Sequence, residues 1–230
     1  MSGSLVVVGT GIGPAQLTTE ARTAIAAADR VFFAAGDALT EKEIRRLSAK
    51  ASSLDGFFEK GTSRRHAYER IVEAIVAPAR SGMRVCAAFY GHPGMFVLPA
   101  GEAIKRARGE GITARMLPGV SALDCLFADL GVDPAAAGLQ MYEAGDFVRR
   151  GPALEPRAGL VLWQVGVVES LGEIAGALRA WYPGTHELII YEASPYPGIP
   201  PQAESSTVER LEQAELTPRS TLYVPPLQPR

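Results

Sequence analysis

Three glycine-bearing stretches carry the residues whose types and spacing could do chemistry: Gly9-Thr-Gly-Ile-Gly-Pro14, Tyr90-Gly-His-Pro-Gly-Met-Phe96 and Pro118-Gly-Val-Ser-Ala122. Glycine at such positions lets backbone approach a bound molecule closely. The first stretch is Gly-x-Gly-x-Gly followed by Pro14, not the Gly-x-Gly-x-x-Gly of dinucleotide sites, and no Gly-Lys-Ser/Thr cradles a triphosphate. Taken alone it reads equally well as a tight turn between a strand and a helix. The histidines at 66, 92 and 186 have no metal-ligand spacing to each other or to the two cysteines, so no metal site is expected. No Ser/His/Asp arrangement can be argued either. Arg64 and Tyr68 are four residues apart, hence on one helical face, which continues into Ile71, Val72 and Ile75. That pair is expected to look inward. Arg64 and Arg65 also occupy a first turn, where the helix dipole disfavours cations by ~0.3–1 kcal/mol. The plain structural alternative is that Arg64 pairs with Glu59 or Glu69 and that Tyr68 fills core.

These residues need elements to position them. Leu5 to Val8 reads as a strand, Thr18 to Ala28 as a helix and Val31 to Ala35 as a second strand. Glu41 to Lys50 is helical in pattern, and Ser52 to Gly61 is loop-like. Ser63 caps a helix that stops by Pro78 and Gly82. Met83 to Phe89 is a buried strand, Val97 to Arg108 a helix closed by Gly109 or Gly111, and Ile112 to Leu117 another strand. Such a unit implies a parallel pair with a right-handed crossover. Ser121 caps a helix to Leu130, stopped by Gly131. Further strands are predicted at Leu139 to Glu143, Gly159 to Gln164, His186 to Ala193 and Thr221 to Val224, with helices over Val168 to Trp181 and Thr207 to Glu215. Each glycine-bearing stretch therefore follows a strand, where ligands of open parallel sheets collect. The alternation is that of an α/β protein with two lobes hinged near Pro118-Gly119.

The 230 residues contain 47% hydrophobic and 21% charged residues, a globular composition. Twenty-three Lys and Arg against 25 Asp and Glu leave a net charge of −2, so there is no basic field of the kind that binds nucleic acid. Cys86 and Cys125 sit in apolar surroundings and read as core residues of a reducing compartment. The N-terminus lacks a signal peptide and no uncharged run reaches the ~18–20 residues of a membrane helix, so a cytoplasmic protein without a membrane partner is expected.

The three stretches, with Met116-Leu-Pro-Gly-Val-Ser-Ala-Leu-Asp-Cys, Val161-Leu-Trp-Gln-Val-Gly, Tyr191-Glu-Ala-Ser and Ser220-Thr-Leu-Tyr-Val-Pro-Pro, resemble the tetrapyrrole methylase superfamily over nearly the whole chain. Within it they look most like the borosin peptide backbone N-methyltransferases. Tyr-Gly-His-Pro-Gly is the more specific signature, because typical tetrapyrrole methylases have Gly-Asp-Pro there. The resemblance implies a two-lobed α/β tetrapyrrole methylase-like fold, lobes 1–118 and 119–230, with S-adenosylmethionine between them and S-adenosylhomocysteine as product, usually in a homodimer. It implies that Tyr90, His92, Met95, Phe96, Ser121 and Ala122 line the methyl donor. Gln164, Ala193 and Thr221 are further donor residues on the second lobe, and Pro14 lies near the transfer site. Arg64, Tyr68 and Tyr90 fall on family positions that orient or deprotonate the amide.

Phe58, in Gly56-Phe-Phe-Glu-Lys-Gly, stands where the family has a tyrosine at the substrate, so that hydroxyl is absent. The chemistry suits these residues. A peptide nitrogen delocalises its lone pair into the carbonyl, so transfer requires proton removal or stabilisation of the imidate. A guanidinium one helical turn from a phenol favours its phenolate, or holds the amide oxygen as charge develops. The reading is an enzyme that methylates backbone amides of a precursor peptide supplied in trans, because the last strand motif ends at Pro226 and leaves no clasp or core peptide. A methyltransferase of a tetrapyrrole or other small molecule is the alternative. Phe58 also admits a third reading, donor or peptide binding without turnover.

Overall fold

The computed structural model of the protein describes residues 3–58, 63–168 and 170–228. The chain divides into two compact units, Met1–Asp124 with Pro195–Gly198, and Cys125–Ser194 with Ile199–Arg230. The division falls a little beyond Pro118-Gly119, inside a helix.

In the first unit, β1 (Ser4–Gly9), β2 (Arg30–Ala34), β3 (Ala51–Ser53), β4 (Arg84–Phe89) and β5 (Thr113–Leu117) form one sheet in the order β3-β2-β4-β1-β5. Every pairing in it is parallel. Its inner strands β2, β4 and β1 are nearly uninterrupted apolar runs because both faces are covered. One face carries α3 (Arg64–Arg80) and α4 (Leu98–Gly109), which bury Ile71, Ile75, Ala103 and Ala107 against Leu5, Val7 and Ala87. The other carries α1 (Thr19–Ala27) and α2 (Ala38–Leu47), packed on Val8, Phe33, Cys86 and Ala88. Burial pushes the Cys86 thiol up to about 12, which makes it an inert core residue.

Local signals set the helix boundaries. Thr18 Oγ1 accepts from the Ala21 N–H, and Asp37 accepts from the N–H groups of Leu39 and Thr40. The Asp37 cap starts α2 three residues ahead of the expected Glu41, and Ala51–Ser53, expected as the edge of a loop, pairs with β2 as a short strand. α3 starts at its Ser63 cap and carries Pro78 in its last turn.

Arg22 of α1 bonds the carbonyls of Pro14 and Leu17 at 3.1 and 3.2 Å and pairs with Glu43 of α2. The Arg46 and Arg22 guanidiniums hold the Glu43 carboxyl at about 2, well below its ordinary 4.5. A depressed carboxyl contributes stability that is full above its unfolded value and disappears as pH falls through the folded one. Acid titration of unfolding should therefore show a Glu43 contribution lost between pH 4.5 and 2, and Glu43→Gln should flatten the curve in that window.

The second unit holds β6 (Leu139–Glu143), β7 (Gly159–Trp163), β8 (Glu187–Glu192), β9 (Gln202–Thr207) and β10 (Thr221–Val224) in the order β6-β7-β10-β8-β9. Only β6 and β7 run parallel, and β10 is antiparallel to both its neighbours. α6 (Ala144–Arg150) and α7 (Leu171–Arg179) pack on the face built from Leu160, Leu162, Leu188 and Leu222. The helix expected over Thr207 to Glu215 is instead the end of β9, a turn and a single 3-10 turn at Leu211–Gln213. The Val208 and Glu209 N–H groups donate to the His186 and Gly184 carbonyls at 3.1 and 2.9 Å, ahead of β8, and so are not available to a helix there. α5 (Ala122–Leu130) straddles the division of the units.

Candidate active site

The three stretches meet at the carboxyl edge of the parallel sheet. Gly11 and Gly91 form a two-bond bridge, N–H to carbonyl at 3.3 and 2.9 Å. A Cβ on Gly9 would lie 2.4 Å from the Gly91 oxygen and 2.7 Å from Gly119 Cα, and one on Gly119 would meet the same oxygen at 2.4 Å. Three loops thus touch backbone to backbone at positions where no side chain fits. Gly11 and Gly91, at φ 74 and 67, also lie in the left-handed region that glycine adopts without cost. Gln16 Oε1 accepts from the Ile12 N–H at 2.7 Å, and Arg22 holds the following 3-10 turn that starts at Pro14.

Tyr90 leaves β4 with its N–H on the Ala34 carbonyl at 2.9 Å, and its ring covers Gly36, where a Cβ would come within 2.1 Å of ring carbon Cδ2. Gly36 is a site-shaping residue that the sequence reading missed. Its signal was present: a glycine immediately after a strand and before a helix-capping aspartate. His92 and Met95 are half-buried, whereas Phe96 is 44% exposed and sits at φ +55. Ser121 caps α5 reciprocally with Asp124: its Oγ accepts from the Asp124 N–H, and the carboxylate accepts from the Ser121 N–H and hydroxyl, both at 2.6 Å. Ala122 follows as the first helical residue.

Each crossover helix of a parallel sheet starts at the carboxyl edge, so the first turns of α3 lie at the same edge as the loops. Tyr68 packs on the core layer that reaches Phe89, and Phe58, 51% exposed, meets it edge-on with ring centroids 6.1 Å apart. The expectation that Arg64 looks inward is overturned: it is exposed. The buried stripe of α3 begins at Ala67, so Arg64 lies a turn ahead of the part of the helix that packs on the core. Glu69 pairs with Arg65, not with Arg64. Glu59 lies outside the described residues.

In the second unit, Gln164, Ala193 and Thr221 gather at one sheet edge, because β10 starts where its antiparallel neighbours β7 and β8 end. Gln164 is at φ +58 and Thr221 is buried. Glu192 holds the turn before β10 through Thr217 Oγ1 and the Arg219 guanidinium, the latter at 2.9 Å. Phe96 and Gln164 are the only non-glycine residues at positive φ among the described residues. Gln164 directly follows β7, and Phe96 lies two residues before α4.

For a phenylalanine that conformation costs of order 1–3 kcal/mol. Phe96→Gly should therefore raise the stability of the protein by about 1 kcal/mol, read as a higher urea midpoint, while weakening its ligand binding.

Residues 4–195 match the family model for Tetrapyrrole (Corrin/Porphyrin) Methylases. The chain belongs to this family. The fold of this tetrapyrrole methylase resembles uroporphyrin-III-C-methyltransferase from Thermus thermophilus at a TM-score of 0.70 and 26% identity, covering 98% of this chain and 93% of that one. It is 38% identical, over 98% of its length, to the methyltransferase/ribosomally synthesized cyclic peptide omphalotin A precursor of Omphalotus olearius. It is 37% identical, over 97% of its length, to the type III borosin cyclic peptide precursor of Anomoporia bombycina. The chain spans 58% of the first of these relatives and 28% of the second. Among the described residues of this methylase no His, Cys, Asp or Glu cluster could hold a metal ion, and no helix is long and apolar enough to cross a membrane.

Proposed function

We propose that the protein is an S-adenosylmethionine-dependent methyltransferase of peptide backbone amides, taking its peptide as a separate molecule and acting as a homodimer. The observation that carries this reading is the match, along 98% of the chain, to a relative whose name joins a methyltransferase to a cyclic peptide precursor. The open Phe58–Tyr68 edge supports a substrate that arrives from solvent.

The loops fit a donor that combines an apolar face with a polar amino-acid end. Met95 and Phe96 offer apolar surface, and the glycine backbones let a ligand come close where a side chain would stand. Pro14, Tyr90, His92, Met95 and Phe96 would hold the donor with Ser121 and Ala122. On the second unit Gln164, Ala193 and Thr221 are further candidates. When bound, S-adenosylmethionine supplies a methyl carbon activated by its sulfonium. The chain supplies the rest. Tyr68, acting as its phenolate, takes the amide proton, directly or through Tyr90, and Arg64 holds the amide oxygen as negative charge grows on it. The exposed guanidinium is strengthened in that role once substrate displaces water around it. Phe58 offers an apolar surface to the neighbouring peptide side chain.

Incubation with S-adenosylmethionine and a candidate precursor peptide should add methyl groups that fragmentation places on backbone nitrogens, with S-adenosylhomocysteine released in equal amount. Methylation confined to side chains would refute the reading. The likeness to uroporphyrin-III-C-methyltransferase supports a second reading, a tetrapyrrole substrate. Donor turnover with a porphyrinoid and none with peptides would favour it. Light scattering in solution tests the dimer.

A further inference from the structure

The turn that follows β4 is closed by a side chain. His92 Nδ1 accepts a hydrogen bond from the Gly94 N–H at 3.0 Å, and the His92 carbonyl accepts from the Met95 N–H, also at 3.0 Å. A Cβ on Gly94 would lie 3.0 Å from ring carbon Cε1 and 3.3 Å from Nδ1, so the imidazole rests against the backbone at 94. Gly94 is itself exposed, so burial does not account for any protection of its amide.

A ring nitrogen that accepts carries no proton, so the imidazole in this arrangement is neutral with its proton on Nε2. A side-chain acceptor at one residue bonding the N–H two residues later is the pattern by which Asn and Asp close turns. Here an imidazole takes that part. Two bonds therefore converge on His92, and the chain they fix runs straight into Phe96 and its left-handed backbone. A strained conformation persists only where its surroundings over-determine it.

We propose that His92 is a positioning residue: its neutral ring, protonated on Nε2, closes the turn over 92–94 and so holds Met95 and Phe96 in the conformation that receives the methyl donor. The last clause rests on the donor-binding reading given above; the turn does not.

The test uses the full chain without ligand first. Imidazole nitrogen spectra should show an unprotonated Nδ1 and a protonated Nε2 for His92. The Gly94 amide should exchange about fivefold more slowly than an open amide, as a net bond of ~1 kcal/mol implies. His92→Ala should abolish that protection, His92→Asn should restore it, because a shorter amide oxygen reaches the same N–H, and His92→Gln should not. Titration with S-adenosylmethionine should find donor affinity about tenfold weaker in His92→Ala, with part of the loss recovered in His92→Asn.

A proton on Nδ1, or Gly94 exchange unchanged in His92→Ala, overturns the turn. Lost protection with unaltered donor affinity overturns the positioning role. An intact turn in a protein that binds no donor in any form refutes the donor reading and leaves the turn standing. Should His92→Ala fail to fold, the spectra of the unsubstituted protein and the comparison of the Asn and Gln variants still decide.

Discussion

Gly9→Ala is expected to destabilise the protein by about 3 kcal/mol and to abolish the proposed methyl-donor binding. The new Cβ would stand 2.4 Å from the Gly91 oxygen and 2.7 Å from Gly119 Cα. Both obstacles are backbone, which cannot rotate aside as a side-chain tip would. Relief requires β1 to shift against β4 and β5, or the three loops to part. Overpacking of rigid interiors costs typically 1–3 kcal/mol and more where backbone must move. Urea unfolding followed by fluorescence measures the first part, and calorimetric titration with S-adenosylmethionine the second. Gly56→Ala, with nothing within 4 Å of the new atom, is the matched control and should leave both readouts in place. Full donor affinity in a folded Gly9→Ala protein would show that loop convergence is not what shapes the site.

Tyr68→Phe should lower kcat by about 10²-fold or more while leaving the fold and donor affinity intact. The ring makes the packing contacts, to the core layer and edge-on to Phe58, and phenylalanine keeps the ring. Only the hydroxyl is removed, and general-base contributions are typically 10²–10⁴-fold. Single-turnover methyl transfer at saturating donor isolates the step. A Tyr68→Phe protein with unchanged turnover would move the proton-accepting role to Tyr90. Restoring the missing hydroxyl by Phe58→Tyr is informative beside it, since Phe58 faces Tyr68 and a second phenol there would change the balance of the pair.

The three loops were legible because glycine after a strand is a local signal, and so were the caps at Ser63 and Ser121, whose side-chain bonds reach only three residues ahead. What the sequence concealed is what tertiary neighbours decide. Gln202–Thr207 is polar and exposed along most of its length, and it is a strand because β8 offers a partner of equal length. Arg64 and Tyr68 share a helical face, yet one is exposed and the other packed, because the core layer begins between them. Phe96 and Gln164 are residue types that rarely adopt positive φ, so nothing in their identity announces it. The Gly36 contact with Tyr90 joins residues 54 positions apart in sequence, beyond any local pattern.

The strand order has a consequence for how the chain reaches its working form. β1 is synthesised well before its partners β4 and β5, with Ser4 registered against Arg84 and Thr113. Until Gly91 has emerged, the first glycine loop has nothing to close against, and until Gly119 follows the convergence is incomplete, so the nascent chain must keep an apolar strand unpaired for most of the first unit's translation. Such long-range parallel pairing makes for slow folding and an aggregation-prone interval. Expression yield in this protein should respond to translation speed and chaperone supply more than to its final stability, and the proposed donor site should be completed late, when β5 docks.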